Sequence, residues 1–164
     1  MPATSAAYHS AVSQLTSAGA PFEIIDSVRN GAVMKAYKNA PQSLLAIVSQ
    51  GRQFGDAPFV TYQGQTHSFS DFFAQVDSLR TVLINQQQIQ KGDKIAIAMR
   101  NCPEWMIAFV AILGCGAVAV PLNSWGREEE LSQGLDDSEA KLVICDWSRY
   151  QFIEHKLPAI NAIV

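Results

Sequence analysis

Three short apolar runs decide the fold: Ile95-Ala96-Ile97-Ala98-Met99, Ala117-Val118-Ala119-Val120 and Leu142-Val143-Ile144-Cys145. Each lacks a polar alternation, which marks a strand covered on both faces rather than one half-exposed to water. Between the first two, Asn101, Pro103 and Glu104 carry helix-start chemistry, with Asn as the cap, Pro in the first turn and Glu answering the cap. That helix is expected to run to about Cys115 and stop at Gly116. A second helix is expected over roughly Arg127 to Leu135. Strand, helix, strand, helix, strand is a βαβαβ unit, so the sheet should be parallel with helices on its faces. Sites in such sheets form outside the carboxyl ends of the strands. Here those ends are Arg100-Asn101, Asn123-Ser124-Trp125-Gly126 and Asp146-Trp147.

Upstream, Phe69, Phe72, Phe73, Val76, Leu79 and Leu83 recur at spacings of three and four, the stripe of an amphipathic helix. Ser68 and Asp71 make a capping pair at its start. Asn30-Gly31 punctuates a hairpin between Phe22 and Tyr37, and Gln63-Gly64 a second between Phe59 and Ser68. A helix starting at Pro41 would place Leu44, Leu45, Ile47 and Val48 on its apolar positions, and residues 4 to 18 form a short helix. Downstream, Trp147 to Lys156 reads as helical with Pro158 ending it. The apolar Ile160 to Val164 then looks like the start of another buried element. The organisation is therefore an N-terminal extension over 1–18, a hairpin and helix prelude over 19–68, and an α/β unit over 69–164.

The chain's 164 residues, 48% hydrophobic and 16% charged, suffice for a core without staples and exclude a disordered chain. A net charge of −3 gives no electrostatic footprint for nucleic acid. Cys102, Cys115 and Cys145 form no C-x-x-C pair and read as reduced, half-buried small hydrophobes. His9, His67 and His155 are isolated, so no zinc site is expected. Met1 to Thr16 holds no Lys or Arg and no continuous apolar stretch, so neither a secretory signal nor an Arg-rich transit peptide is expected there. Trp105 to Leu122 is uncharged, but Gly114, Gly116 and Pro121 punctuate it as a soluble helix followed by a strand. No membrane span and a cytoplasmic location are expected.

Gly114-Cys115-Gly116-Ala117-Val118-Ala119 matches G-x-G-x-x-A, but a helix precedes the glycines and a strand follows. The dinucleotide fingerprint needs the opposite order. Neither a P-loop nor a G-x-S-x-G elbow occurs. Asn101 to Glu104 could welcome an anion at a helix start, although capping is the simpler reading. Glu128, Glu129, Glu130, Asp136, Asp137 and Glu139 read as a solvated face. Trp125, a large aromatic beside Gly126 on a loop after a strand, either touches a ligand or closes the core. No nucleophile stands beside an activating base.

Taken together, Phe69-Ser70-Asp71-Phe72, Gly92-Asp93-Lys94-Ile95-Ala96-Ile97 and Asn101-Cys102-Pro103-Glu104-Trp105 resemble the start of the AMP-forming adenylating enzymes. Gly116-Ala117-Val118-Ala119-Val120-Pro121-Leu122-Asn123, Glu130-Leu131, Asp137-Ser138 and Ala140-Lys141-Leu142-Val143-Ile144 continue the likeness. Gly19-Ala20-Pro21-Phe22-Glu23 and Lys38-Asn39-Ala40-Pro41 are similar to bacterial medium- or long-chain fatty-acyl-CoA ligases. The resemblance implies the N-terminal part of the acyl-CoA synthetase large domain. It implies a parent enzyme that joins a fatty acid to CoA through an acyl-adenylate, using ATP and Mg. The family's phosphate loop, acidic motifs and catalytic lysine are not among these residues. The chain alone is therefore expected to be inactive, to bind none of these cofactors and to self-associate through exposed apolar faces. The loop residues Ser124, Trp125 and Gly126 are the positions the resemblance puts near the nucleotide end of CoA. No Arg lies between Asn101 and Gly126 to meet a CoA phosphate there. Two other readings stand beside this one: a free-standing non-catalytic α/β interaction domain, and a nucleotide-binding redox module.

Overall fold

Along the run from Ile95 to Met99 the side chains alternate between two cores, because successive residues of a strand face opposite sides of the sheet. Ile95, Ile97 and Met99 enter one cluster; Ala96 and Ala98 enter the other. The computed structural model of the chain describes residues 5–156 and 160–164. It divides into two compact units, Met1–Ser43 and Leu44–Val164.

The first unit holds helix α1 (Ser5–Thr16) and a hairpin of strands β1 (Ile24–Arg29) and β2 (Ala32–Tyr37). The strands pair antiparallel from Ile24↔Tyr37 to Arg29↔Ala32, and both turn residues have positive φ, 50° at Asn30 and 82° at Gly31. That is the two-residue turn expected of Asn-Gly, whose twist matches the strands it joins. Lys38 closes the hairpin's base with an ion pair to Glu23 at 3.0 Å.

The second unit begins with α2 (Leu44–Ser49) and a 3₁₀ turn (Gln50–Phe54), followed by the hairpin β3 (Pro58–Tyr62) and β4 (Gln65–Ser68). Helix α2 starts at Leu44 and not at Pro41. Helix α3 (Phe69–Asn85) opens with the expected capping box: the Asp71 N–H donates to the Ser68 hydroxyl, and the Asp71 carboxylate accepts from the Ser68 N–H. The Ser68 hydroxyl also donates to that carboxylate at 2.8 Å, and this bond first, with the Ser68 N–H second, holds the Asp71 carboxyl below its ordinary pKa.

The remaining elements alternate: β5 (Lys94–Ala98), α4 (Pro103–Gly114), β6 (Val118–Pro121), α5 (Glu128–Ser138), β7 (Leu142–Cys145), α6 (Trp147–Ile153) and β8 (Asn161–Ile163). The strands form one parallel sheet in the order β6-β5-β7-β8. Its fourth strand is the apolar segment near Val164; the expected stop at Pro158 lies outside the described residues. Helices α3 and α4 cover the Ile95/Ile97 face through Phe72, Phe73, Leu83, Ile107 and Ile112. Helices α5 and α6 cover the alanine face through Leu131, Leu135 and Ile153. The small side chains of Ala96 and Ala98 leave room for them.

Two helix termini depart from expectation. The cap of α4 is Cys102, not Asn101, and Cys102 makes no side-chain capping bond. Its thiol hydrogen instead turns back to the Arg100 carbonyl at 3.2 Å. Pro103 in the first turn sets the helix start, because its fixed φ suits that position and its missing N–H would be unsatisfied there anyway. Helix α5 starts at Glu128 and runs to Ser138, ending on Glu139 at a left-handed φ of 53°. That conformation is costly for any residue with a Cβ, and the Lys94 ion pair at Glu139 is too exposed to offset it. Glu139→Gly is therefore expected to raise stability by about 0.5–1 kcal/mol, read from the midpoint of urea unfolding. A lower midpoint would show that the Glu139 side chain contributes more than its strain costs.

Candidate functional site

The carboxyl ends of β5, β6 and β7 lie side by side because the strands are parallel and adjacent, so the segments that leave them meet at one edge. The first exit is Arg100, the second Asn123 to Gly126, and the third Asp146 at the start of α6. Asp146 joins them. One carboxylate oxygen accepts from the Arg100 N–H at 3.0 Å, and the other caps α6 by accepting from the Arg149 N–H at 2.9 Å. The Arg149 guanidinium lies 3.4 Å from the same carboxylate and donates to the Ser124 carbonyl at 2.5 Å.

The loop after β6 is built on Asn123. Its side-chain oxygen accepts from the Trp125 N–H at 3.1 Å, its carbonyl accepts from the Gly126 N–H at 2.9 Å, and its amide nitrogen donates to Glu130 at 2.7 Å. A Cβ at Gly126 would stand 3.0 Å from the Asn123 carbonyl oxygen and 3.2 Å from Leu131, so this position admits only glycine without a shift. Trp125 closes no core. Its side chain is 75% exposed, and the Arg100 guanidinium sits over its ring at 3.2 Å from the centroid. A cation over an indole face is held by the ring quadrupole.

The structure thus brings together Ser124, Trp125 and Gly126 with Arg100, Asp146 and Arg149. Sequence reasoning missed Arg100 as a partner of Trp125, and Arg149 altogether. An Asp directly after a buried strand, at a helix start, was the signal that could have pointed to the hub at Asp146.

Other candidates resolve differently. A cavity of about 580 Å³ opens beside the same edge, lined by Leu79, Met99, Ile107, Ile144 and the thiols of Cys102 and Cys145. Burial raises both thiol pKa values, that of Cys145 to about 11, so neither is a thiolate nucleophile at neutral pH. The acidic residues near α5 are largely engaged: Asp136 with Lys156 at 2.6 Å, Asp137 with Gln133 at 2.8 Å and Glu128 with His155 at 3.8 Å. Gly114 ends α4 and Gly116 precedes β6, the reverse of the dinucleotide order. Among the described residues, no helix is long and apolar enough to cross a membrane, and no three His, Cys, Asp or Glu side chains cluster to hold a metal.

Comparison with known proteins places this edge in context. The AMP-binding enzyme profile matches residues 47–163, well over half the chain. The chain belongs to the AMP-binding enzyme family. Within that family it is 29% identical over 104 residues to a long-chain-fatty-acid–CoA ligase of Bacillus subtilis, an alignment covering 63% of this chain and 18% of the relative. It is 31% identical over 94 residues to a medium/long-chain-fatty-acid–CoA ligase of Mycobacterium tuberculosis, covering 57% and 16%. Among solved structures, O-succinylbenzoate coenzyme A synthetase of Bacillus subtilis in complex with AMP superposes with a TM-score of 0.62 at 27% identity, covering 71% of this chain and 30% of that one. The N-terminal subdomain of Klebsiella oxytoca NpsA has the same fold, with a TM-score of 0.62 at 24% identity, covering 74% and 30%. The chain spans only about a fifth of the length of the curated relatives it matches.

Proposed function

We propose that this chain is the N-terminal portion of an ATP-dependent, AMP-forming fatty-acid–CoA ligase. The parent reaction converts a fatty acid, ATP and CoA to acyl-CoA, AMP and pyrophosphate. Membership of the AMP-binding family supports the adenylating half of that reading. Fatty-acid–CoA ligases among the relatives support the substrates. The chain's own part is scaffold and one binding edge, where Ser124, Trp125 and Gly126 meet the nucleotide end of CoA.

The observation that carries the CoA assignment is the stack of Arg100 on the exposed Trp125. A heteroaromatic base with phosphates attached needs an aromatic plane for the base and a guanidinium for the charge, and this edge offers both. Arg149 adds a buried Nε–H without a partner. The donor set fits an anionic nucleotide. It does not fit magnesium, since no three His, Cys, Asp or Glu side chains converge among the described residues, and no metal-assisted step is derived from this chain.

From sequence alone the isolated chain is expected to bind none of these cofactors. The Arg100–Trp125 pair argues instead for CoA binding by this edge, and titrating CoA into the chain by calorimetry tests which holds. Trp125→Ala should weaken binding about tenfold, the loss of one aromatic–base stack. Equal affinity of wild type and variant would remove Trp125 from the site. The chain alone is expected to release no pyrophosphate from ATP and a fatty acid; adenylate formation by it would overturn the scaffold assignment.

A further inference from the structure

Arg149 is the one charged side chain buried among the described residues, 9% exposed, yet no motif singles it out. A guanidinium is taken out of water only where its partners compensate, so those partners show what the residue is for. One arm of its planar fork faces the Asp146 carboxylate at 3.4–3.5 Å, and the other donates to the Ser124 carbonyl at 2.5 Å. Asp146 closes β7, whereas Ser124 belongs to the loop that leaves β6. These strands are not neighbours in the sheet, since β5 lies between them. Arg149 therefore spans the central strand.

The loop's other bonds run from Trp125 and Gly126 back to Asn123 and from Asn123 forward to Glu130 in α5, while the Leu122 N–H just before the loop donates to the Ile97 carbonyl of β5 at 2.9 Å. Those bonds shape the loop and tie its base to β5 and α5, but none of them holds Ser124–Gly126 against the exits of β5 and β7. Among the described residues, Ser124–Gly126 is tied to the other strand exits by Arg149 on the Ser124 carbonyl and Arg100 on the Trp125 ring. Both refer to Asp146, which holds the Arg100 backbone and the Arg149 side chain.

We propose that Arg149 is the positioning residue of the Ser124–Gly126 loop, holding it against the carboxyl end of the sheet so that Trp125 presents its ring beneath Arg100. For its ligand this rests on the CoA reading above; for its geometry it does not. Lys at this position would not substitute, because one ammonium on a flexible stem cannot address the carboxylate and the carbonyl with a fixed fork.

The test uses Arg149→Lys and Arg149→Met in the 164-residue chain labelled with 5-fluorotryptophan, the three resonances being assigned by Trp→Phe changes. Hydrogen exchange at the Trp125 and Gly126 amides is measured alongside, and urea unfolding reports global stability. Loop exchange should accelerate about tenfold in both variants, as loss of a charged hydrogen bond implies. The Trp125 resonance should shift, while Trp105 and exchange in β5 and β7 stay as in wild type. A role in stability alone would instead lower the urea midpoint and speed exchange throughout. CoA affinity should fall about tenfold in Arg149→Lys, the cost of an unpositioned binding group. An unmoved Trp125 resonance with unchanged loop exchange overturns the proposal. If the loop loosens but wild type binds no CoA, the positioning role stands and the CoA reading fails. Should Arg149→Met not fold, Arg149→Lys carries the same readouts.

Discussion

Ile97→Ala is expected to destabilise the second unit by about 2–5 kcal/mol, the range for emptying an isoleucine site that cannot collapse. Ile97 is fully buried in β5, the strand flanked by β6 and β7, where it registers against Pro121 and Ile144. Its side chain lies in the cluster under α3 and α4, so the lost methyls leave a void bounded by two helices and a sheet. With typical domain stabilities of only 5–15 kcal/mol, such a loss is about a third of the total. The urea midpoint should drop at unchanged slope, because the same surface is exposed on unfolding. Ile97→Val should cost about 0.5–1.5 kcal/mol, and Val118→Ala on the exposed edge strand less than about 0.5. Equal midpoints for Ile97→Ala and Val118→Ala would mean that β5 is not the centre of this core.

Asp146→Ala removes the hub of the strand exits and is expected to cost about 2–4 kcal/mol. Breaking a buried ion pair typically costs about 3–5 kcal/mol, because the surviving charge is left uncompensated. That figure is reduced here because the Asp146 side chain is 30% exposed and its ion-pair contact with Arg149 is a long 3.4 Å. Loss of the α6 cap contributes about 1 kcal/mol of the total. Asp146→Asn keeps an oxygen for capping but not the charge, so it should cost about half as much as Ala. The sign of the coupling is the sharper result. Adding Arg149→Met to Asp146→Ala should cost less than the two changes summed, since the stranded guanidinium is gone. Additive losses in that double-mutant cycle would show that the two side chains do not act as a pair.

Much of the fold was legible from short-range chemistry. Asn30-Gly31 and Gln63-Gly64 marked their hairpins because few residue pairs tolerate two successive positive φ values. Ser68 and Asp71 marked the start of α3 because both halves of a capping box lie within four residues. The apolar strands announced a parallel sheet, and Ile160 to Val164 announced β8. Strands β5 and β7 are covered on both faces as expected, whereas β6, expected to be buried, is an edge strand with Val118 exposed. Legibility failed at the start of α4, where Asn101 had the better capping chemistry but Pro103 set the boundary one residue later. It failed also at the end of α5, where Glu139 occupies a conformation that composition would assign to glycine.

The site was legible as a place and not as a set of partners. The rule for parallel sheets pointed to the strand exits, Asn123 to Gly126 among them, and the family resemblance put Ser124, Trp125 and Gly126 forward as candidates. The absence of Arg from Asn101 to Gly126 argued against an anion there, yet Arg100 lies just outside that window and stacks on Trp125. Local periodicity, turn residues and caps act over a few positions, so the amino-acid order alone determined the elements, their class and the strand-exit edge proposed as the site. Which side chains share that edge was decided only when the crossovers stacked β6, β5 and β7 side by side. That packing closes 46 positions between Arg100 and Asp146, and 25 between Ser124 and Arg149.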